Sequence, residues 1–458
     1  MINEQERGSY IEGKSQRPDI FVSERDEWSY LGRNHAEIRR LKNGATILGM
    51  TQRSDDEAQV SVRYTYSSGA YFDPKGKSGL HHLLEHLVSK RPYEVASKFD
   101  AQYGAATSPH MTQYGLNGIL NPQIEGYGVL PALPLLHTQA ARPIDTIGNL
   151  QSAIETEIGV ILGEIKESKS RHEDQLSRAL CRVLFDPENP INTNVPGTYE
   201  DLLSITPEDV VEISNRVFSP DNLVITVFGK GKEENTSLVV DQIEDSTKGL
   251  PESKVRHPSV DRALFDLIHP DFKPGSIYTY DTGMQTGMVT VLFVWNIASP
   301  ENSTESMASI RLMENAQLNL HSFFRDEGLG YSSSVNSDCA GQYVTQSLRL
   351  NIPARQDIVD FSKALAPQLQ TSVFEKIKDS EIEHMLEIYR KRQLATPIKA
   401  DTRFNYLVNG ILHYGKIIDA DEMSRRSSAV TPSHLKEWRD TFLATPPAVL
   451  VVGDLSSA

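Results

Sequence analysis

Apolar residues follow two rhythms along this chain, and the same succession of rhythms occurs twice. Residues 205–229, "ITPEDVVEISNRVFSPDNLVITVFG", predict an amphipathic helix opening after a Thr cap with Pro in its first turn. A Pro-containing turn and an apolar strand ending in Gly follow. Residues 430–453, "VTPSHLKEWRDTFLATPPAVLVVG", repeat that order, and Thr206-Pro207 and Thr431-Pro432 lie 431 − 206 = 225 positions apart. "AQVSVRYTYSSGA" (58–70) and "MVTVLFVWNIASP" (288–300) are rich in β-branched and aromatic residues and predict one strand in each half. "YGAATSPHMTQYGLNGIL" (103–120) parallels "YSSSVNSDCAGQYVTQSLRLNI" (331–352). The chain therefore reads as two copies of one α+β domain, a duplication rather than a solenoid, which needs more repeats. The expected division is a polar N-terminal extension (1–28), a first domain (29–244), a linker rich in charge, Pro and Ser (245–262) and a second domain (263–458).

One predicted helix breaks its own apolar pattern. "GLHHLLEHLVSK" (79–90) sets three His and one Glu among Leu83, Leu84, Leu87 and Val88, where unpaired ionisable groups are costly to bury. His82 and His86 are four apart, so both imidazoles reach one side of the helix, and Glu85 lies beside them. Neutral imidazole is a good Zn²⁺ ligand, and bound Zn²⁺ lowers the pKa of water to about 7. A carboxylate at the position of Glu85 then takes the proton as water attacks a carbonyl. This is the inverted H-x-x-E-H form of the thermolysin-type motif. His81 cannot share the face used by His82 and His86. A catalytic zinc site usually takes three protein ligands. The best source of the third is the predicted helix "IETEIGVILGEIKESK" (154–169), with Ile158, Ile161, Leu162 and Ile165 as its stripe and Glu157 and Glu164 two turns apart.

Composition narrows the classes. The net charge, 46 − 61 = −15, lacks the basic footprint of nucleic-acid binding. No window reaches the about 18 apolar residues of a membrane span, and the first twenty residues hold no apolar signal core. Two cysteines without a CxxC are consistent with a reducing cytoplasm. Gly76-Lys77-Ser78 is not a phosphate loop, because Tyr71 occupies the required Gly position.

The pairing of "GLHHLLEH" with "ETEIGVILGE", whose last Glu follows His86 by 164 − 86 = 78 residues, resembles the M16 metallopeptidases, the family of pitrilysin, insulin-degrading enzyme and mitochondrial processing peptidase. The resemblance runs from about residue 35 to 455 and includes "SGAYFDPKGKSGLHHLLEH", "ATSPHMTQY", "DLLSITPEDV" and "VVGDL". It implies a short, two-domain member in which each half is a mainly antiparallel sheet packed with helices. It implies one Zn²⁺ per chain on His82, His86 and Glu164, with Glu85 as general base and Glu157 as a supporting carboxylate. The second copy lacks H-x-x-E-H and holds "FFRDEGLGYSSS", similar to the family's Arg…Gly-Leu-x-Tyr segment. That similarity implies that Arg325 and Tyr331 bind substrate and polarise its carbonyl. Arg325 stands 331 − 325 = 6 residues before Tyr331, where the family spacing is seven and Phe324 stands. Gly104 replaces the Asn of the family's substrate-contacting "NAxTS", which Ala105, Thr107 and Ser108 match. The implied activity is zinc-dependent endopeptidase action on peptides or unfolded segments, including removal of a leader from a precursor. The implied assembly is a homodimer, or a heterodimer with a related M16-like chain, enclosing a cavity where peptide lies extended along a sheet edge. Two alternatives are a non-catalytic M16-like partner subunit, which has no use for Glu85, and a zinc-binding regulator.

Overall fold

The computed structural model describes residues 25–30, 34–54, 58–120, 126–141, 143–145, 147–250, 264, 267–283, 287–298, 304–328, 332–340, 343–395 and 428–455. Most of the expected N-terminal extension, the expected linker from 251 onward and Tyr331 lie outside them.

The first of two units is built on a sheet of β1 (Arg25–Tyr30), β2 (Asn34–Arg40), β3 (Thr46–Arg53), β4 (Gln59–Tyr66), β5 (Ala101–Thr107), β6 (Thr112–Ile119) and β7 (Leu223–Gly231). Their order is β1-β2-β3-β7-β4-β6-β5, and every pair is antiparallel except β3–β7. Alternation along β4 sends Val60, Val62, Tyr64 and Tyr66 to one face. Helices α1 (Leu80–Ala96), α2 (Val129–Ala141) and α3 (Leu150–Ser170) bring apolar stripes to the same core. Each fully buried Leu or Ile there contributes about 1.5–3 kcal/mol. Pro92 lies inside α1 and has no N–H for the Val88 carbonyl four residues earlier. Gln139 of α2 fills that gap, its Nε2 donating to Val88 O at 2.9 Å.

The chain then runs through α4 (His172–Leu184), the short α5 (Tyr199–Ser204), α6 (Pro207–Val217) and α7 (Glu233–Lys248). The expected domain boundaries move in three places, the first being β1, which starts at Arg25 inside the expected N-terminal extension. Residues Lys166–Asn192 group with the second unit, because Leu176, Ala179 and Leu184 of α4 pack on strands of its sheet. The linker does not begin at 245, because α7 continues to Lys248 with Val239, Val240 and Ile243 in the first core.

The second unit has β8 (Ile277–Asp281), β9 (Met288–Ala298), β10 (Ser332–Ala340), β11 (Tyr343–Pro353) and β12 (Ala448–Gly453), in the order β10-β11-β9-β12-β8. Read from the other end this is the β3-β7-β4-β6-β5 order of the first sheet, again with one parallel pair, β8–β12. Register agrees too: Val60 sits opposite Gly229, and Val289 opposite Gly453. Helices α8 (Thr304–Glu327), α9 (Ile358–Phe374), α10 (Asp379–Ala395) and α11 (Pro432–Ala444) supply its helical side. The expectation of two α+β copies with mainly antiparallel sheets holds. Thr206 and Thr431 both form capping boxes at the starts of α6 and α11, each contributing about 1 kcal/mol.

Candidate metal centre

Helix α1 opens at Gly79, whose φ of +91° is left-handed, and a Cβ there would come within 2.7 Å of Pro196 O. Leu80, Leu83, Leu84 and Leu87 turn into the core, which leaves His82 and His86 on the opposite edge of the helix. The imidazoles meet edge to face, with ring centroids 4.7 Å apart. Helix α3 brings Glu164 to them, and its Oε2 lies 3.6 Å from Nε2 of His82 and 3.6 Å from Nε2 of His86. Those separations are too long for hydrogen bonds. They are close to the about 3.3–3.5 Å between ligand atoms on a tetrahedral ion with bonds of about 2.0–2.1 Å. His82, Glu85 and His86 each offer a ligand atom within 4.8 Å of the others. The donor set, two imidazole nitrogens and a carboxylate, fits zinc chemistry.

Around this centre the remaining polar atoms are paired with few exceptions. Nδ1 of His86 lies 3.4 Å from Glu157 Oε2, and Lys90 Nζ lies 3.0 Å from Glu157 Oε1. A carboxylate on the far nitrogen of an imidazole fixes its tautomer and turns the other nitrogen to the metal. Nδ1 of His82 is buried without a hydrogen-bond partner among the described residues. Burial, with His86 beside it, lowers the His82 imidazole to about 4, so it is neutral at neutral pH. Burial pushes the Glu85 carboxyl up to about 7, against the pull of His86 and of Thr107, whose Oγ1 donates to Glu85 Oε2 at 3.2 Å. A carboxyl poised there suits proton transfer near neutrality.

The residues predicted from the sequence fall in separate places. His82, Glu85, His86, Glu157 and Glu164 converge from α1 and α3. Gly104, Ala105 and Thr107 lie on β5, the last strand of the first sheet, and Ser108 follows it. A Cβ at Gly104 would meet nothing within 4 Å, so packing does not demand glycine there. Ser108 closes the β5–β6 turn, its N–H donating to Met111 O at 2.8 Å. Arg325 is exposed in the last turn of α8, and Phe324 before it is buried in the second core. Sequence reasoning missed Lys90, although its place one turn after His86 was a usable signal. It also missed the partners of His81, discussed below. A depression of about 330 Å³ lined by Gln59, Gln102, Asn117, Ile119, Phe228 and Lys230 does not include the metal cluster. Among the described residues no helix is long and apolar enough to cross a membrane.

Among the described residues the repeat carries no second cluster of this kind. The strand register maps Val60 to Val289, an offset of 289 − 60 = 229. The same offset sends the buried Leu80, Leu83, Leu84 and Leu87 to the buried Ser309, Leu312, Met313 and Ala316. It sends His82 to Arg311, Glu85 to Glu314 and His86 to Asn315. Arg311 donates to Glu314 at 2.8 Å and stacks on Tyr389 of α10, 3.8 Å from the ring centroid. Asn315 contacts Met385 of α10.

The fold and this centre together give a chain of two related α+β units with a candidate metal site in the first. No family model matches the sequence. The chain is 22% identical over 232 residues to the mitochondrial-processing peptidase subunit beta of Dictyostelium discoideum, a match covering 48% of this chain and 45% of that one. It is 21% identical over 205 residues to a zinc protease of Rickettsia bellii described as uncharacterized, covering 43% and 47%. The matches thus span about half the length of these curated relatives. A solved structure described as an M16-like peptidase, from Alicyclobacillus acidocaldarius, superposes with a TM-score of 0.67 at 17% identity, covering 91% of this chain and 97% of that one. A peptidase M16 inactive domain from Pseudomonas fluorescens gives 0.66 at 14% identity, with 91% and 97% covered. The chain has the M16-like peptidase fold, and the resemblance to the M16 family read from its sequence is borne out.

Proposed function

We propose that this chain is a zinc-dependent endopeptidase that cleaves peptides or unfolded segments, with one ion per chain on His82, His86 and Glu164. The observation that carries this reading is the equal 3.6 Å spacing of both Nε2 atoms from Glu164 Oε2. When bound, zinc supplies Lewis-acid polarisation of a carbonyl and a water of pKa about 7. Glu157 holds the His86 ring in its ligating orientation. Thr107 holds Glu85, which takes the proton of the attacking water at its carboxylate and delivers it to the leaving amine. Substrate adds as an extended strand along β5, where backbone bonds give affinity and Gly104 leaves room beside the strand. Arg325 and Tyr331 act on the substrate carbonyl from a second chain, a copy of this one or a related M16-like subunit. A cytoplasmic location belongs to the same reading.

A second reading is a non-catalytic partner subunit, and it has support in the inactive domain that superposes nearly as well as the peptidase-named neighbour. The intact Glu85 favours the enzyme. Digestion of a mixed peptide library, read by mass spectrometry before and after chelation and zinc return, separates the two. Chelator-sensitive, zinc-restored cleavage is expected. A zinc-loaded chain that cleaves nothing, alone or with a related chain, leaves the partner-subunit reading.

A further inference from the structure

His81 stands beside a metal-ligand candidate yet points away from it into the protein, only 1% exposed. Its Nδ1 lies 2.6 Å from Asp73 Oδ1 and its Nε2 lies 2.7 Å from Ser68 Oγ. With Nδ1 donating to the carboxylate, Nε2 accepts from the Ser68 hydroxyl, and both ring nitrogens are satisfied. The order Ser–His–Asp matches a hydrolytic triad. Ser68 is fully buried and the Asp73 side chain is 5% exposed, so no substrate carbonyl reaches the hydroxyl. The triad holds other things together.

Asp73 also accepts from the N–H of Gly79 at 2.7 Å and of His81 at 2.9 Å. These are two of the donors left unpaired at a helix start, and a carboxylate at that positive end is favourable. At the other end, Ser68 belongs to a segment tied to the β5–β6 turn. Thr112 Oγ1 donates to Ser68 O at 2.8 Å, and the N–H groups of Ala70 and Tyr71 donate to Ser108 O and Pro109 O. A Cβ on Gly69 would come within 2.2 Å of Ser108 O, so the two segments touch backbone to backbone. Thr107, just before that turn, donates to Glu85.

We propose that Ser68, His81 and Asp73 are positioning residues that lock the first turn of α1 to the tip of the β5–β6 hairpin and thereby set the metal centre. His81 and Glu85 share one side of α1, so anchoring His81 fixes rotation of the helix about its axis. A turn of about 10° moves a side-chain tip about 5–6 Å from the axis by about 1 Å. Metal–ligand distances tolerate only about 0.2 Å.

The inference rests on the metal reading above, so the test starts with the wild-type protein. Zinc affinity is measured by competition with a chromogenic chelator, and the visible spectrum of the Co²⁺-loaded protein reports ligand geometry. His81→Ala and Ser68→Ala are compared with Leu133→Ala, which opens a cavity in the same core but removes an apolar side chain of α2 that makes none of these hydrogen bonds. His81→Ala should bind zinc about 10–100-fold more weakly and shift the Co²⁺ bands, with Ser68→Ala changed in the same sense. Leu133→Ala should lower thermal stability while keeping wild-type affinity and bands. Wild-type affinity and spectra in His81→Ala and Ser68→Ala overturn the inference alone. If His81→Ala does not fold, Ser68→Ala decides. A wild-type chain that binds no metal removes the proposed function and this inference with it.

Discussion

Replacing Glu85 with Gln separates the cost of burying a carboxylate from its use. The side chain is 9% exposed, and burial raises its carboxyl from 4.5 to about 7. Holding it ionised therefore costs the folded chain about 3 kcal/mol, from about 1.4 kcal/mol for each factor of ten in proton affinity. Between pH 4.5 and about 7 the folded chain keeps a proton that the unfolded chain has released. Stability falls as pH rises through that window, and the full cost is present above it. The His82 imidazole, lowered to about 4, has the opposite slope but is common to both proteins and cancels in their difference. Gln carries no charge and can still accept from Thr107. In chelator at pH 8 the variant should be more stable by up to about 3 kcal/mol, a rise of about 6–12 °C for a unit of this size. The gap should close by pH 4.5. With zinc returned, the variant should keep its metal and lose about 10²–10⁴-fold in hydrolysis. Calorimetry across pH, elemental analysis and a peptide assay read the three quantities. A metal-free variant no more stable than wild type at pH 8 refutes the burial argument, and cleavage at the wild-type rate refutes the role as base.

His82→Ala, His86→Ala and Glu164→Ala should each lose zinc on dialysis, by elemental analysis, because a three-ligand site has none to spare; full retention in Glu164→Ala would redirect the search to Glu155 or Glu167. Glu157→Gln should weaken zinc binding by about 10–100-fold in a chelator competition, since it touches His86 and not the ion. Glu85→Gln and Tyr331→Phe dimers should both be impaired, and mixing them should restore about a quarter of wild-type activity, since roughly half the dimers are hybrids with one intact site. Subunit exchange without recovery would place Tyr331 in its own chain's site or in none.

The duplication, the ends of the apolar strands and the H-x-x-E-H helix were legible because each is a local pattern. Thr206 and Thr431 announce their helices by the same cap, and His82 and His86 share a side by spacing alone. Glu164 needed more, since nothing in an acidic helix distinguishes a ligand from a solvated carboxylate until α1 and α3 are brought together. The assignment of α4 to the second unit was illegible for a related reason: its stripe of Leu176, Ala179 and Leu184 states that it packs, not on which sheet. The contacts of His81 with Ser68 and Asp73 link a strand end, a loop and a helix start, and no periodicity connects those.

Arg311 occupies the place in the second copy that His82 holds in the first, and it brings its own positive charge, covalently attached and neutralised by Glu314 at its side. A guanidinium cannot be stripped by a chelator or displaced by a competing ion. Under the proposed function the two halves therefore depend on their surroundings differently. On the proposed zinc reading, the second copy neutralises the Arg311 charge with Glu314 of its own chain, while His82, Glu85, His86 and Glu164 of the first would gather around an ion, which would tie that half of the molecule to the cell's supply of metal.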